Sequence, residues 1–181
     1  EHILYNFKTK KVVWRSGALN TDQSFNVYGD EKQSSEWSPA SRATAFVAKD
    51  QLYVVDGKGK MVKLTEDGSR NIVYGQSVHR DEFGINGGLF WSPKGNRLAF
   101  YRMDQSMVTD FPLVDIPEVD WTPKPGQSRI ATPAPEKYPM AGETSHKVTP
   151  GIYDLKTGKT IYLTAGDPTD RDFTNIAWSP H

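Results

Sequence analysis

The chain reads as an all-β protein, a partial β-propeller of about three blades with a strand-containing excursion inserted into one of them. Three observations predict this. Hydrophobic positions come in short groups of four to six bounded by Gly, Asp, Asn and Pro, which is the punctuation of strands and turns, and almost no helical period is visible. One hairpin form recurs three times along the chain. A Trp-Ser-Pro element, twice followed by a strand of small and apolar residues, recurs three times as well.

The hairpins are LYNFKTKKVVW (4–14), LYVVDGKGKMVKLT (52–65) and IYDLKTGKTIYLT (152–164). Each is an aromatic-containing strand, a polar Lys/Gly/Thr turn and a second short strand. The turns Asp56-Gly57-Lys58-Gly59 and Lys156-Thr157-Gly158-Lys159 supply the glycines that a tight hairpin uses for positive φ. The second element is WSPASRATAFVA (37–48), WSPKGNRLAFYR (91–102) and a final Trp178-Ser179-Pro180. Trp and Pro open a turn, and after the first two a strand follows. Four strands in a unit of about 45 residues is the signature of a propeller blade. Two unrelated sandwich hairpins would not repeat both halves in the same order.

These marks divide the chain into the end of one blade (1–36), a second blade (37–90), a third (91–177) and the start of another (178–181). The third is unusually long. Trp37 to Leu52 spans 15 positions but Trp91 to Ile152 spans 61, so about 46 extra residues lie between its first strand and its hairpin. A structureless loop of that length is improbable in a compact domain, so extended strands or a projecting subdomain are expected over about 103–150. Its prolines make it edge-like, since proline cannot donate to a central ladder. Asp115-Ile116-Pro117 and Thr132-Pro133-Ala134-Pro135 are its expected corners. Closed propellers need about four to eight blades, so the expectation is a slice of a larger ring, whose open sheet edges must be covered by further blades or by a second copy.

Composition narrows the partners. The 181 residues carry 22 basic and 22 acidic side chains, with no long run of one sign, so nothing is built to neutralise a phosphate backbone and nucleic acid is not expected. The longest apolar runs, such as Ala45 to Ala48 and Leu52 to Val55, fall far below the ~20 residues of a membrane helix. There is no cysteine, hence no disulfide framework and no thiolate metal site. Glu1 leads straight into a strand-like segment without a signal peptide, as in a mature or trimmed chain.

Direct signs of catalysis are few. Gly75-Gln76-Ser77-Val78-His79 lacks the second glycine of a nucleophile elbow, and His2, His79, His146 and His181 are scattered without ligand spacing. Gly166 to Asp172 gathers three aspartates but lacks the glycine and terminal glutamate of a calcium loop, and reads as a solvated connection. No catalytic residue, cofactor or metal is expected. The remaining cluster is His79-Arg80-Asp81-Glu82, just before a glycine-rich aromatic run. It reads either as a charged surface turn, with Arg80 paired to a neighbouring carboxylate for at most about 1 kcal/mol, or as an anionic pocket in which Asp81 and Glu82 receive a cation that relieves their mutual repulsion.

At this point the residues resemble a family. WSPKGNRLAFYRMDQS (91–106) with the acidic stretch upstream, YPMAGE (138–143) and KVTPGIYDLKTGK (147–159), in that order, are similar to the N-terminal propeller of the dipeptidyl-peptidase IV family of serine exopeptidases in a bacterial form. The similarity covers essentially the whole chain, and the long insertion falls where this family carries extra strands. The resemblance implies an eight-bladed propeller over a C-terminal α/β-hydrolase domain carrying Ser, Asp and His, peptide substrates with a free N-terminus, a homodimer, and a periplasmic or secreted setting. It places the catalytic serine beyond His181, so that the stretch 1–181 by itself is expected to hydrolyse nothing. It also implies that two carboxylates on a segment projecting from the propeller hold the substrate's terminal ammonium. An α-amine with pKa about 8 is mostly protonated at neutral pH, and fixing it sets how far along the peptide the nucleophile reaches. Where the family has Glu-Glu or Glu-Glu-Glu, this chain has Arg80-Asp81-Glu82: Glu82 matches the second glutamate, Asp81 is a side chain one methylene shorter, and Arg80 is foreign to the pattern. A non-enzymatic scaffold propeller of the periplasmic translocation-protein type is the alternative, though such blades are regular units of about 40 residues.

Overall fold

The computed structural model describes residues 3–15, 32–78, 85, 87–117, 126, 130–164, 166 and 171–180. Among them every regular element is a β-strand, and every paired strand is antiparallel. Strands β1 (Ile3–Asn6) and β2 (Lys11–Arg15) form the first hairpin. Strands β3 (Lys32–Ser38), β4 (Ala43–Ala48), β5 (Gln51–Val55) and β6 (Met61–Lys63) form a four-stranded meander in chain order. The third sheet has β9 (Arg97–Asp104) at its centre. One edge of β9 carries β14 (Lys147–Asp154) and then β15 (Lys159–Tyr162), while the other carries both β7 (Ile72–Tyr74) and β8 (Leu89–Trp91).

Local chemistry accounts for the turns. Lys49 and Asp50 both have positive φ, 48° and 63°, as the two-residue connection of a tight hairpin requires. After β5 the Asp56 carboxylate accepts from the N–H groups of Lys58 and Lys60 at 2.9 Å, and after β14 the Asp154 carboxylate accepts from Lys156 and Thr157 at 3.0 and 2.9 Å. The same side-chain cap thus shapes equivalent turns in two blades. Each sheet begins upstream of the tryptophan that marks the repeat, because the strand leading into the Trp-Ser-Pro turn pairs with the strand leaving it. In the second such turn Ser92 holds Arg97 twice: its N–H donates to the Arg97 carbonyl at 2.9 Å and its Oγ accepts from the Arg97 N–H at 3.1 Å.

Strands buried on both faces explain why the apolar runs are continuous rather than alternating. On β9, Leu98 and Phe100 join Ala45, Val47, Leu52 and Val54 of the preceding sheet in one cluster. From the opposite face Tyr101 and Met103 join Val148, with Phe173 and Ile176 of the following stretch packed against them. Burying side chains of this size is worth about 1.5–3 kcal/mol each. Across β4 and β5, Phe46 lies opposite Tyr53 with ring centroids 5.3 Å apart and planes 12° from parallel. Gly151 lies opposite Phe100, and a Cβ there would meet the ring at 2.4 Å. Phe100 is fully buried, so the ring has nowhere to go.

The insertion is an antiparallel ribbon. Strand β10 (Asp110–Phe111) pairs with β13 (Glu136–Lys137), and β11 (Val114–Asp115) with β12 (Thr132–Pro133). The expected corners at Asp115 and at Thr132-Pro133 are therefore strand. The Ala134 N–H donates to the Leu113 carbonyl at 2.9 Å, which puts Pro133, opposite Val114, at a position whose N–H would point out of the ladder. Pro150 is accommodated inside a sheet for a related reason: its neighbour Tyr101 turns both its N–H and its C=O away from β14, toward β7 and β8.

Candidate functional site

Asp81 and Glu82, with His79, Arg80, Phe83 and Gly84, lie outside the described residues. What the structure describes is the sheet on either side of them. Strands β7 and β8 lie along the same edge of β9, running the same way: β7 opposite Arg102–Asp104 and β8 opposite Leu98–Phe100. Tyr101 sits between the two partner sets and closes the gap. Its carbonyl accepts from the Gly75 N–H at 3.0 Å, and its own N–H donates to the Gly88 carbonyl at 3.0 Å. The first strand of the blade is therefore one line interrupted at a single backbone position, where Gly75 leaves the ladder and Gly88 rejoins it.

Two glycines make the neck. Gly75 has φ +68°, and a Cβ on it would meet Leu89 and Ser34 Oγ at 3.0 Å. A Cβ on Gly88 would lie 2.8 Å from the Gln76 nitrogen and from the Gly75 carbonyl carbon, so the outgoing and returning chains cross too closely for any other residue. The neck is also held from the neighbouring sheet, where Ser34 of β3 donates its hydroxyl to the Gly75 carbonyl at 3.1 Å. On the outgoing limb Ser77 is buried and Val78 packs against the Tyr101–Met103–Val148 cluster, so the chain is anchored up to the residue before His79.

Beside the neck an ionic and hydroxyl network fixes β7. Tyr74, fully buried apart from its hydroxyl's reach to the rim, donates to Asp67 Oδ1 at 2.7 Å. Arg102 donates to the Tyr74 oxygen at 3.2 Å and to Asp67 Oδ2 at 2.8 Å. The Tyr74 hydroxyl first, and Arg102 with it, holds the Asp67 carboxyl below its usual range, while burial and the Asp67 carboxylate push the Tyr74 phenol well above its own. A few residues earlier Arg70 reaches across to the ribbon, pairing with Asp110 at 2.7 Å and donating to the Pro135 carbonyl at 3.0 Å. Lys137 reaches Asp110 at 3.3 Å. A cleft of about 800 Å³ opens where neck, β3 and ribbon meet, with Glu36, Asp50 and Glu136 on its walls against Arg70. Among the described residues no group of three His, Asp or Glu side chains could hold a metal ion, and no helix is long and apolar enough to cross a membrane.

The neck itself escapes a reading of composition and charge. Its signal is the two half-strands IVY and LFW with a glycine on the inner end of each, Gly75 and Gly88. Ser34, 41 residues from its partner, carries no signal at all.

Successive four-strand sheets packed face to face, with the first strand of one interrupted and a ribbon inserted in its middle, define an arc of a β-propeller. The chain belongs to the dipeptidyl peptidase IV (DPP IV) N-terminal region family, whose model matches residues 2–181. It is 32% identical over 147 residues to a probable dipeptidyl-aminopeptidase B of Arthroderma gypseum, covering 77% of this chain and 16% of that protein. A protein of the same name from Arthroderma otae is 33% identical over 152 residues, covering 80% and 16%. Among solved structures, a Bacteroides ovatus protein described as a dipeptidyl aminopeptidase IV matches with TM-score 0.71 and 46% identity, over 98% of this chain and 22% of that one. Porphyromonas gingivalis dipeptidyl peptidase 4 shares the fold, with TM-score 0.62 at 24% identity over 76% and 19%. The chain thus spans about a sixth of the length of the curated relatives it matches and about a fifth of the solved chains.

Proposed function

We propose that this chain is the substrate-gating part of a serine-type dipeptidyl peptidase, and that Asp81 and Glu82 hold the terminal ammonium of a peptide whose first two residues are released by a C-terminal α/β-hydrolase domain of the same protein. The observation that carries the proposal is the braced crossing of Gly75 and Gly88, which brackets Asp81 and Glu82 in the sequence, in a chain that matches the family from end to end. A charged turn with no task would not need two close-packed glycines and a bond from another sheet. The cleft of about 800 Å³ beside Gly75 and Gln76 supports the reading, since it opens where the chain leaves the ladder.

The mechanism required of this chain is binding and measurement. A carboxylate that accepts a charge-assisted hydrogen bond from an ammonium contributes about 1.5–3 kcal/mol. A peptide held by its first nitrogen presents the bond two residues on to a nucleophile at fixed distance. Asp81 reaches less far than Glu82 does, so Glu82 is the principal acceptor. The expected outcome for Glu82→Ala in the full-length protein is a rise in KM and a loss of about 10- to 100-fold in kcat/KM for chromogenic dipeptide substrates with a free N-terminus. Unchanged kinetics would return the cluster to an ordinary surface turn.

The same proposal includes a homodimer and an exported setting. The ribbon supports the first, since Val114, Ile116 and Ile130 are 58%, 75% and 76% exposed on a projecting antiparallel pair. A periplasmic or secreted location rests on the family alone.

A further inference from the structure

We infer that Arg70 is a latch for the inserted ribbon: from the turn that joins one blade to the next it grips both limbs of the ribbon, and so presents the ribbon's apolar edge to a second copy of this chain. The inference rests on the reading of the ribbon as a contact between two copies. Arg70 and Asn71 are the tip of a tight turn between β6 and β7, closed by paired backbone bonds between Ser69 and Ile72 at 2.9 and 3.2 Å. Ser69 Oγ caps it, accepting from the N–H groups of Asn71 and Ile72 at 3.3 and 3.2 Å. The tip is pinned from β9 as well: the buried Gln105 donates its N–H to the Asn71 carbonyl at 2.8 Å and its carboxamide N–H to the Arg70 carbonyl. The guanidinium therefore reaches out from a fixed base. Its Nη2 donates to Asp110 Oδ1 on β10 at 2.7 Å and to the carbonyl of Pro135, the residue before β13, at 3.0 Å, while Nη1 reaches Asp110 Oδ2 at 3.4 Å. One side chain thus bridges the outgoing and the returning limb.

The ribbon needs such a grip. Its ladders, β10 with β13 and β11 with β12, hold two residues per strand, and a two-stranded ribbon is marginal in water unless it packs against something larger. Within the ribbon Lys137 brings a second cation to Asp110 and donates to the Val108 carbonyl at 2.8 Å, and Phe111 meets the ring of Tyr138 edge-on with centroids 6.1 Å apart. The Arg70 guanidinium first, and Lys137 with it, hold the Asp110 carboxyl below its usual range. Of these groups Arg70 alone belongs to the turn between blades, so it ties the ribbon's direction to the sheets. An exposed ion pair taken singly is worth little; here it joins two limbs to a pinned turn. Beyond the grip, 111–117 and 130–135 read FPLVDIP and IATPAP, with Asp115 the single charge. Two copies of such a surface have little charge to repel them and can meet across a two-fold axis, and a ribbon already fixed in direction loses less freedom when they do.

The test uses the full-length protein and reads two quantities in each variant: hydrogen exchange of peptides covering 108–117 and 130–138, and the dimer dissociation constant by sedimentation. Arg70→Gln, which removes the charge and the fork, is expected to speed ribbon exchange several-fold and to raise the dissociation constant about three- to tenfold, with the unfolding temperature nearly unchanged. Arg70→Lys keeps the charge without the fork and should fall between. Raising salt from about 0.05 to 0.3 M should weaken the wild-type dimer more than that of Arg70→Gln, where the screened pair is already gone. If Arg70→Gln leaves the dissociation constant at its wild-type value while Ile116→Asp combined with Val114→Asp gives a monomer, the latch is overturned and the second-copy contact stands. If the full-length protein is a monomer from the start, or that double variant stays dimeric, the second-copy reading falls and takes this inference with it.

Discussion

Asp67, Tyr74 and Arg102 illustrate how a buried phenol and a surface ion pair can share one task. The Asp67 side chain is half exposed, so its pairing with Arg102 alone would be worth little; the hydrogen bond from Tyr74, whose ring lies in the core between two sheets, is what ties it to the fold. Because the folded-state pKa of Asp67 is depressed, the unfolded chain takes up the proton first as pH falls. The contribution is therefore complete above the ordinary carboxylate value near 4 and is lost as pH drops below it through the lower folded value. The thermal midpoint of wild type should exceed that of Asp67→Asn at pH 7, with the gap closing as pH falls below about 4. A gap independent of pH would sink this account. At this scale the sequence was informative about charge and silent about partners: Asp81 and Glu82 stand out as neighbours, but nothing in the chain links Ser34 to Gly75 or Asp67 to Arg102.

The elements owe their order to one repeated contact. Trp91 donates its indole N–H to the carbonyl of Glu36, the residue before Trp37, at 3.1 Å, and Trp178 donates to the carbonyl of Phe90, the residue before Trp91, at 3.0 Å. The second and third Trp-Ser-Pro turns are thus each hung on the one before. Gly95 completes the stacking, since a Cβ there would strike Ser38 Oγ at 2.5 Å. Trp91→Phe keeps an aromatic side chain, smaller than indole, and removes the donor, and should cost at least about 1 kcal/mol in urea unfolding with an unchanged m-value; stability equal to wild type would show that the bond contributes nothing. The repeat was legible because this contact needs the same residue in the same place in every blade. The ribbon's path was not: Thr132-Pro133 has the composition of a corner, and only its register against Val114 reveals that the missing N–H falls where no bond is made.

For the whole molecule, the question is what covers the surfaces an arc leaves open. The cluster on one face of β9 is already capped by Phe173 and Ile176 of the stretch that leads into the last Trp-Ser-Pro, so each blade's outer face is the next blade's inner one. The ribbon is different: it projects from the middle of its sheet, and among its described residues Val114 and Ile116 are exposed. If it joins two copies, Ile116→Asp should convert a dimer of the full-length protein into a monomer in light scattering while leaving unfolding temperature per protomer nearly unchanged. A dimer that survives Ile116→Asp combined with Val114→Asp would place the contact elsewhere.

Taken alone, the sequence determined the all-β class, the blade repeat, and the place and extended character of the insertion. These are properties written locally, in periodicity, turn residues and neighbouring side chains. Only the tertiary structure decided that Ile72–Tyr74 and Leu89–Trp91 are halves of one strand, that Gly75 and Gly88 cross at Tyr101, and that Ser34 braces the crossing. Those relations join residues 13 to 41 positions apart through single hydrogen bonds and van der Waals contacts, which leave no period or composition in the chain and come into being only when the sheets pack.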